Sequence, residues 1–241
     1  MANPFFSFKQ FTVHHHRSAM KVTTDACLLG AWAAAQMQKE KERFLHLLDI
    51  GAGTGLLSLM AAQKNNSEID AVEIDSGAAQ QARDNFAQSP WPQRLHLLEG
   101  DITQMALSKT YDGIICNPPF YEKELTSPSA TRNIAHHSYS LKLEQLFEII
   151  YNGLNENGIF FLLLPYKRKA EAEQLLQQQQ LHIHTLVEVH PSFAHQPFRL
   201  LLKGSKKEPA QKEKERFYIK DEAGQYTPPF VQLLKDYYLY L

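Results

Sequence analysis

The stretch DIGAGTG, residues 49–55, leaves the chain few folds to choose from. Before it, FLHLLDI (44–50) reads as a buried strand; after it, LLSLMAAQ (56–63) reads as a helix. Gly51, Gly53 and Gly55 let the backbone turn tightly between the two and present N–H groups to a ligand with no Cβ in the way. A strand that ends in such a loop and opens a helix is the first half of a βαβ unit. The pattern then repeats. IDAVEID (69–75) is a second strand and SGAAQQARDNFAQ (76–88) a second helix. LHLLEGD (95–101), DGIICN (112–117) and IFFLLLP (159–165) are further strands, with LEQLFEIIYNGL (143–154) helical and Asn157-Gly158 a turn. KRKAEAEQLLQQQQ (167–180) is a polar helix with a solvated glutamine end. LHIHTLVEV (181–189) and FRLLLKG (198–204) are two final strands, and KGSKKEPAQKEKERF (203–217) reads as an exposed loop or hairpin tip. Strands alternating with helices specify a parallel sheet covered on both faces, an α/β class.

The spacing of the glycines narrows the ligand. The dinucleotide fingerprint G-x-G-x-x-G, counted from Gly51, puts its third glycine at position 56; Leu56 stands there. No Walker lysine follows, so a P-loop is excluded. The loop suits a compact nucleoside with an amino-acid tail. Glu73, at the end of the second strand, is placed to accept both ribose hydroxyls, with Asp75 a second candidate. At the third strand end, Asp101 is placed to accept from an adenine amino group while Ile102 packs on the ring. Ligands of open α/β sheets bind at such carboxyl ends.

The fourth strand runs into Asn117-Pro118-Pro119-Phe120. A nitrogen whose lone pair is spread into a ring or carbonyl is a poor nucleophile. Two acceptors aimed at its N–H groups favour a tetrahedral nitrogen, and Asn117 Oδ1 and the Pro118 carbonyl are such a pair. The prolines fix φ and hold that carbonyl in place beforehand. Phe120 offers a flat face for a planar base. This chemistry needs no metal. His14-His15-His16 cannot all point one way and fit a solvated surface or an arm near RNA rather than a ligand set.

Composition agrees. Of 241 residues 44% are hydrophobic, enough for a substantial core, and the net charge of −1 disfavours a protein that holds nucleic acid by charge alone. Cys27 and Cys116 are not paired by spacing, which suits a reducing compartment; Cys116 reads as core packing. MANPFFSFKQF is no leader, and no apolar stretch reaches the roughly 18 residues of a membrane helix. A cytoplasmic protein without membrane association is expected.

In this order, the glycine loop, the two acids and the fourth strand end resemble the S-adenosylmethionine-dependent methyltransferases of the Rossmann-like class I fold. The resemblance covers roughly residues 44–204 and implies a seven-stranded, mostly parallel sheet whose last strand is antiparallel. It makes Asp49 the acid near the methionine amino group and sets Asn117 beside the methyl donor. NPPF resembles the [DNS]PP[YFW] motif of amino-methyltransferases that act on adenine N6, guanine N2 or glutamine amides. MKVTTDACLLGAWA (20–33), NPPFY, IAHHSYSL (134–141) and LLKDYYLYL (233–241) are similar to the bacterial enzymes that methylate N6 of adenine 37 in the anticodon loop of a valine tRNA.

That family carries a glycine where Thr23 stands, a departure that touches loop flexibility. Lys21, Thr23 and Asp25 precede a helix (about 26–36) that would cover the cofactor pocket; Thr24 or Asp25 serves equally as an N-cap. The resemblance implies substrate contacts at Tyr121, Arg132 and His136, and Arg17, Lys21, Lys167, Arg168 and Lys169 are candidates for tRNA phosphates. The expected partner is tRNA, with no DNA and no obligate protein partner. One domain, 1–241, is expected: an N-terminal arm and helix (1–43), the core (44–204) and a C-terminal extension (205–241). Release-factor glutamine methyltransferases carry a helical N-terminal domain, for which the 48 residues before Asp49 are too few. A DNA methyltransferase lacks its recognition insertion here, and a non-catalytic cofactor- or RNA-binding module has no need of Asn117, Pro118 and Phe120.

Overall fold

The computed structural model of the protein describes residues 3–18, 20–40, 44–118 and 141–241. Strands β1 (Phe5–Ser7) and β2 (Thr12–His14) make a small antiparallel hairpin, followed by helix α1 (Thr24–Lys39). The core then alternates: β3 (His46–Ile50), α2 (Leu56–Lys64), β4 (Glu68–Glu73), α3 (Ser76–Ala87), β5 (Leu95–Glu99) and β6 (Tyr111–Cys116). Next come α4 (Leu143–Gly153), β7 (Leu154–Pro165), α5 (Lys169–Gln178), β8 (His182–Ser192), β9 (Arg199–Ser205), β10 (Glu213–Lys220) and α6 (Pro228–Leu234).

Among the described residues the main sheet has eight strands in the order β10-β8-β9-β7-β6-β3-β4-β5. Only β9 runs against its neighbours β7 and β8; the other pairings are parallel. The chain leaves β3 outward to β4 and β5, then returns to β6 on the other side of β3. The order therefore reverses between β3 and β6, and a crevice opens at the carboxyl ends there.

The strand pattern explains the layers. In β7, Phe160, Leu162 and Leu164 point to one core with Leu146 and Phe147 of α4 and Leu176 of α5. Phe161 and Leu163 point to the other, with Leu28 and Leu29 of α1 and Leu59 and Met60 of α2. Successive side chains of a strand alternate faces, so a continuous apolar run is what a strand covered on both sides requires. The N-terminal hairpin and the chain's end join the second of these cores. Lys9 N–H donates to the Tyr237 carbonyl (2.8 Å), and Tyr237 Oη donates to the Met60 carbonyl (3.1 Å).

Two expectations change. The charged 203–217 segment is not simply a loop, since its second half enters β10, an eighth strand paired in parallel with β8. The Asn157-Gly158 turn sits inside β7: Leu154 pairs with Tyr111 and Ile159 with Gly113, so residues 155–158 bulge out opposite Asp112. Asp112 fixes the irregularity, accepting from Asn155 Nδ2 (2.6 Å) and from the N–H groups of Leu45 (2.7 Å) and His46 (2.9 Å).

Candidate active site

The glycine loop turns through left-handed backbone, with φ of +72° at Gly51, +56° at Gly53 and +81° at Gly55. A Cβ at Gly55 would lie 2.3 Å from the Phe86 ring, whereas at Gly51 and Gly53 it would meet nothing within 4 Å. Gly55 therefore serves packing and caps α2, while Gly51 and Gly53 leave open space beside the backbone. The N–H groups of Gly51 and Ala52 both donate to the Val72 carbonyl at 2.9 Å, tying the loop to β4.

Glu73 is 8% exposed, and its carboxylate is aimed by the backbone. Gly53 N–H donates to Oε2 (2.7 Å) and Asp75 N–H to Oε1 (2.8 Å). Each oxygen keeps further lone-pair capacity for a ligand hydroxyl. Asp75 caps α3 by accepting from Ala78 N–H (2.8 Å). Asp101 Oδ1 accepts from the N–H (2.9 Å) and hydroxyl (2.8 Å) of Thr103, which holds its side chain after β5.

These groups line one cavity of about 190 Å³ across four strand ends. Ile50, Gly51 and Gly53 come from β3 and its loop; Val72, Glu73, Ile74, Asp75 and Ala78 from the end of β4 and the start of α3. Gly100, Asp101 and Ile102 follow β5, and Cys116, Asn117 and Pro118 close β6. Ser18, Met20 and Leu141 complete the wall. The result is an apolar slot edged by carboxylates, the right chemistry for a flat heterocycle whose sugar and amino groups donate hydrogen bonds.

Asp49 lies behind the loop, fully buried. Its Oδ2 accepts from Ser58 N–H (3.1 Å) and Ser58 Oγ (2.7 Å), while its Oδ1 is buried without a partner. Burial pushes its pKa up to about 7; the Ser58 bonds oppose this, and the charge of Glu73 adds to it. A carboxylate left half-satisfied in a core is a group awaiting a donor.

The N-terminal arm reaches the cavity along α3. Asn85 Oδ1 accepts from His14 N–H (3.0 Å), and its amide donates to the His14 carbonyl and to the Thr54 carbonyl of the glycine loop (2.9 Å each). Arg17 N–H donates to Gln81 Oε1 (3.4 Å). Both anchoring side chains are 1% exposed. The arm is thus pinned one helical turn at a time and brings Ser18 and Met20 to the cavity wall. Sequence reading missed this pair, because an Asn and a Gln on a helix carry no signal until their partners are known.

Other candidates lie elsewhere. Lys21, Thr23 and Asp25 do not line the cavity. Thr23 is the N-cap of α1, accepting from Ala26 N–H (3.4 Å), and Asp25 pairs with Arg199 (2.8 Å). Arg17 pairs with Asp84 (3.1 Å) on the outer face of α3. Lys167 and Arg168 lie in a 3₁₀ turn after β7, where Arg168 grips Glu171 with two bonds of 2.6 and 2.8 Å. Pro119, Phe120, Tyr121, Arg132 and His136 fall outside the described residues. Cys116 is fully buried, and burial holds its thiol well above the usual range, as core packing requires. His15, expected at the surface, is instead 7% exposed, with Nε2 on the Asn3 carbonyl (2.9 Å). Among the described residues no group of three His, Cys, Asp or Glu is placed to hold a metal, and no helix is long and apolar enough to cross a membrane.

Comparison with known proteins accords with this geometry. The family model "Methyltransferase small domain" matches residues 33–187. A predicted O-methyltransferase from Agrobacterium tumefaciens shares the fold at a TM-score of 0.64, with 19% identity over 88% of this chain and 96% of that one. The glycopeptide N-methyltransferase MtfA, solved with S-adenosylmethionine, superposes at 0.53, with 13% identity over 73% and 93% of the two chains. Relatives called tRNA1(Val) (adenine(37)-N6)-methyltransferase are closer in sequence. That of Dyadobacter fermentans is 39% identical over 98% of both chains, and that of Parabacteroides distasonis 35% over 99% of both. That of Vibrio vulnificus is 39% identical over 97% of this chain and 95% of its own. With a Rossmann-like class I core, the cavity at its switch point and full-length relatives of this kind, the chain belongs to the tRNA1(Val) (adenine(37)-N6)-methyltransferase family.

Proposed function

We propose that the protein transfers a methyl group from S-adenosylmethionine to N6 of adenine 37 in the anticodon loop of a valine tRNA. The observation that carries this reading is the cavity that gathers Gly51, Gly53, Glu73, Asp101, Asn117 and Pro118 around one space. The chain's own residues fit the cofactor. Gly51 and Gly53 leave open the space a Cβ would enter, and Asp49 keeps a buried oxygen unpartnered. Glu73 takes the ribose hydroxyls, Asp101 the adenine amino group, Ile102 and Val72 the faces of the ring, and Asp49 the amino-acid ammonium. When bound, S-adenosylmethionine supplies an electrophilic methyl carbon on a positively charged sulfur.

Asn117 Oδ1 and the Pro118 carbonyl accept the two N–H groups of the target amine. This turns the nitrogen lone pair out of conjugation with the purine and toward the methyl carbon. The surplus proton on nitrogen passes to solvent after transfer. Most of the rate comes from holding nucleophile and acceptors in line, for which effective molarities reach roughly 10⁵ M. Adenine 37 lies in a loop, where extruding a base from its stack costs least. Such a substrate places the protein in the cytoplasm. We take residues 1–241 as one functional unit, since the arm closes the cavity and the C-terminal extension packs on α1 and α2.

The test is incubation with labelled S-adenosylmethionine and, separately, total tRNA, rRNA, DNA and a peptide-release factor. Label in tRNA recovered as N6-methyladenosine is the expected result. Label in protein alone would transfer the assignment to a glutamine amide.

A further inference from the structure

The carboxyl ends of β7, β8 and β10 lie on the same edge of the sheet as the cavity, because all three run parallel to β6. At the end of β8 a tight turn holds Phe193 out to solvent. Phe193 is 52% exposed, and among the described Phe, Tyr and Trp residues only Tyr240, near the C-terminus, is more so. The turn is held firmly: His195 N–H donates to the Ser192 carbonyl (3.2 Å), Ala194 N–H to Ser192 Oγ (3.3 Å) and Phe198 N–H to the Val189 carbonyl (2.9 Å). Behind Phe193 the rings continue. Its centroid is 4.5 Å from that of Tyr218 on β10, and Tyr218 is 4.7 Å from His190 on β8. His190 Nδ1 donates to the His195 carbonyl (2.8 Å), but its Nε2 is buried without a partner. The three rings are tilted to one another, by 36° between Phe193 and Tyr218 and by 30° between Tyr218 and His190, and the outermost ends at solvent.

We propose that Phe193 is the outer face of a stacking platform that takes an unpaired base of the tRNA anticodon loop other than the methylated one. The proposal rests on the tRNA reading above. The distance suits it. Cys116, Leu162, Leu202 and Leu186 stand in register across β6, β7, β9 and β8, and His190 lies four residues beyond Leu186 toward the carboxyl edge. With strands about 4.8 Å apart and about 3.3 Å per residue, the inner ring, His190, stands roughly 15–20 Å from Asn117, and Phe193, three residues further on, roughly 20–25 Å. A single-stranded loop with its target base at Asn117 reaches that far.

Charge alone does not hold RNA here. Arg168 is engaged by Glu171 and Arg199 by Asp25, while the exposed Lys220 stands opposite Ser192, so ring faces, which accept any base, act beside a single nearby lysine. A stacked base also explains why a rigid turn spends a large apolar ring on solvent.

The test uses the full-length protein with a valine tRNA transcript. Phe193→Leu keeps apolar bulk and removes the flat face; Phe193→Trp keeps it. The expected result is a KM for tRNA raised about 5- to 100-fold in Phe193→Leu, with kcat within twofold, affinity for S-adenosylhomocysteine unchanged and Phe193→Trp close to wild type. The salt dependence of tRNA binding keeps its slope, since no phosphate contact is lost. Added fluorescence of Phe193→Trp is quenched by the tRNA. Phe193→Leu within twofold of wild type, a changed salt slope, or a change of oligomeric state on substitution would each overturn the platform. Methylation of tRNA by a protein indifferent to residue 193 removes the platform alone. Phe193-dependent tRNA binding without methyl transfer removes the catalytic reading and keeps the platform.

Discussion

The two halves of the sheet each bury a carboxylate, and they treat it in opposite ways. Glu188, on β8, is 4% exposed and lies between Lys169 (3.1 Å) and Lys214 (3.0 Å). Burial alone would raise its pKa, but the two lysine bonds outweigh that and hold the carboxyl below its usual range. Asp49, on β3, is wholly buried, has Ser58 on one oxygen and nothing on the other, and is pushed up to about 7. The β7–β10 half neutralises its acid; the β3–β6 half leaves its acid incomplete beside a glycine loop and a cavity. Burial of an acid is thus no sign of function by itself, whereas burial without full neutralisation is one.

The largest break between the halves is expected at Asn117. Asn117→Ala should lower kcat for methyl transfer by at least about 10²-fold, the scale on which one preorganised polar partner of a transition state acts. Cofactor affinity should stay within a few-fold by calorimetry. An affinity loss as large as the rate loss would make Asn117 a cofactor residue rather than an acceptor of the amine protons.

Asp49 comes second. An ammonium on Oδ1 is a charged hydrogen bond, so Asp49→Asn should weaken S-adenosylmethionine binding about 10- to 100-fold. The pH dependence sharpens the contrast. Asp49 has its folded pKa raised, so its contribution to stability is full below its unfolded value of 3.8 and is lost as pH rises through about 7. A cationic ligand wants the ionised form. Cofactor affinity should therefore rise as pH climbs toward 7 and binding below 7 should release a proton, both effects absent in Asp49→Asn. Glu188 has the reverse sign: its lowered pKa contributes stability above about 4.5, lost on acidification.

Third is Glu188→Gln, an effect on stability alone. Breaking a buried ion pair costs about 3–5 kcal/mol, but both lysines retain solvent, which cuts the figure to about 1–3 kcal/mol. For a chain this long that lowers Tm by about 3–10 °C. Methyl transfer at 25 °C should be unchanged; a loss of activity would mean that the two halves are coupled.

The same contrast decides what the sequence showed. Asp49, the glycines, Glu73, Asp101 and Asn117 stand out in the sequence because each sits at or next to a strand end; the structure puts Gly51, Gly53, Glu73, Asp101 and Asn117 on the cavity wall and buries Asp49 and Gly55 behind it. Thr23 and Asp25 were misleading because the partner that occupies Asp25, Arg199, is far along the chain. Gln81 and Asn85 were invisible for the same reason, their bonds to Arg17 and His14 spanning 64 and 71 residues. Strand β10 was hidden by its own charges: Glu213, Lys214, Glu215 and Arg216 face water on an edge, and only pairing with β8 makes them a strand.

The smallest expected effect separates the two lysines of Glu188. Lys214 is 58% exposed and Lys169 25% exposed, so water screens the first far more. Lys214→Ala should cost less than about 1 kcal/mol and lose even that at 1 M salt, whereas Lys169→Ala should cost more and keep most of its effect. Chemical denaturation at low and high salt reads both. Equal costs would mean that Glu188 is neutralised by the sum of its surroundings rather than by one buried partner. The contrast with Asp49 would then be one of local charge density instead of pairing.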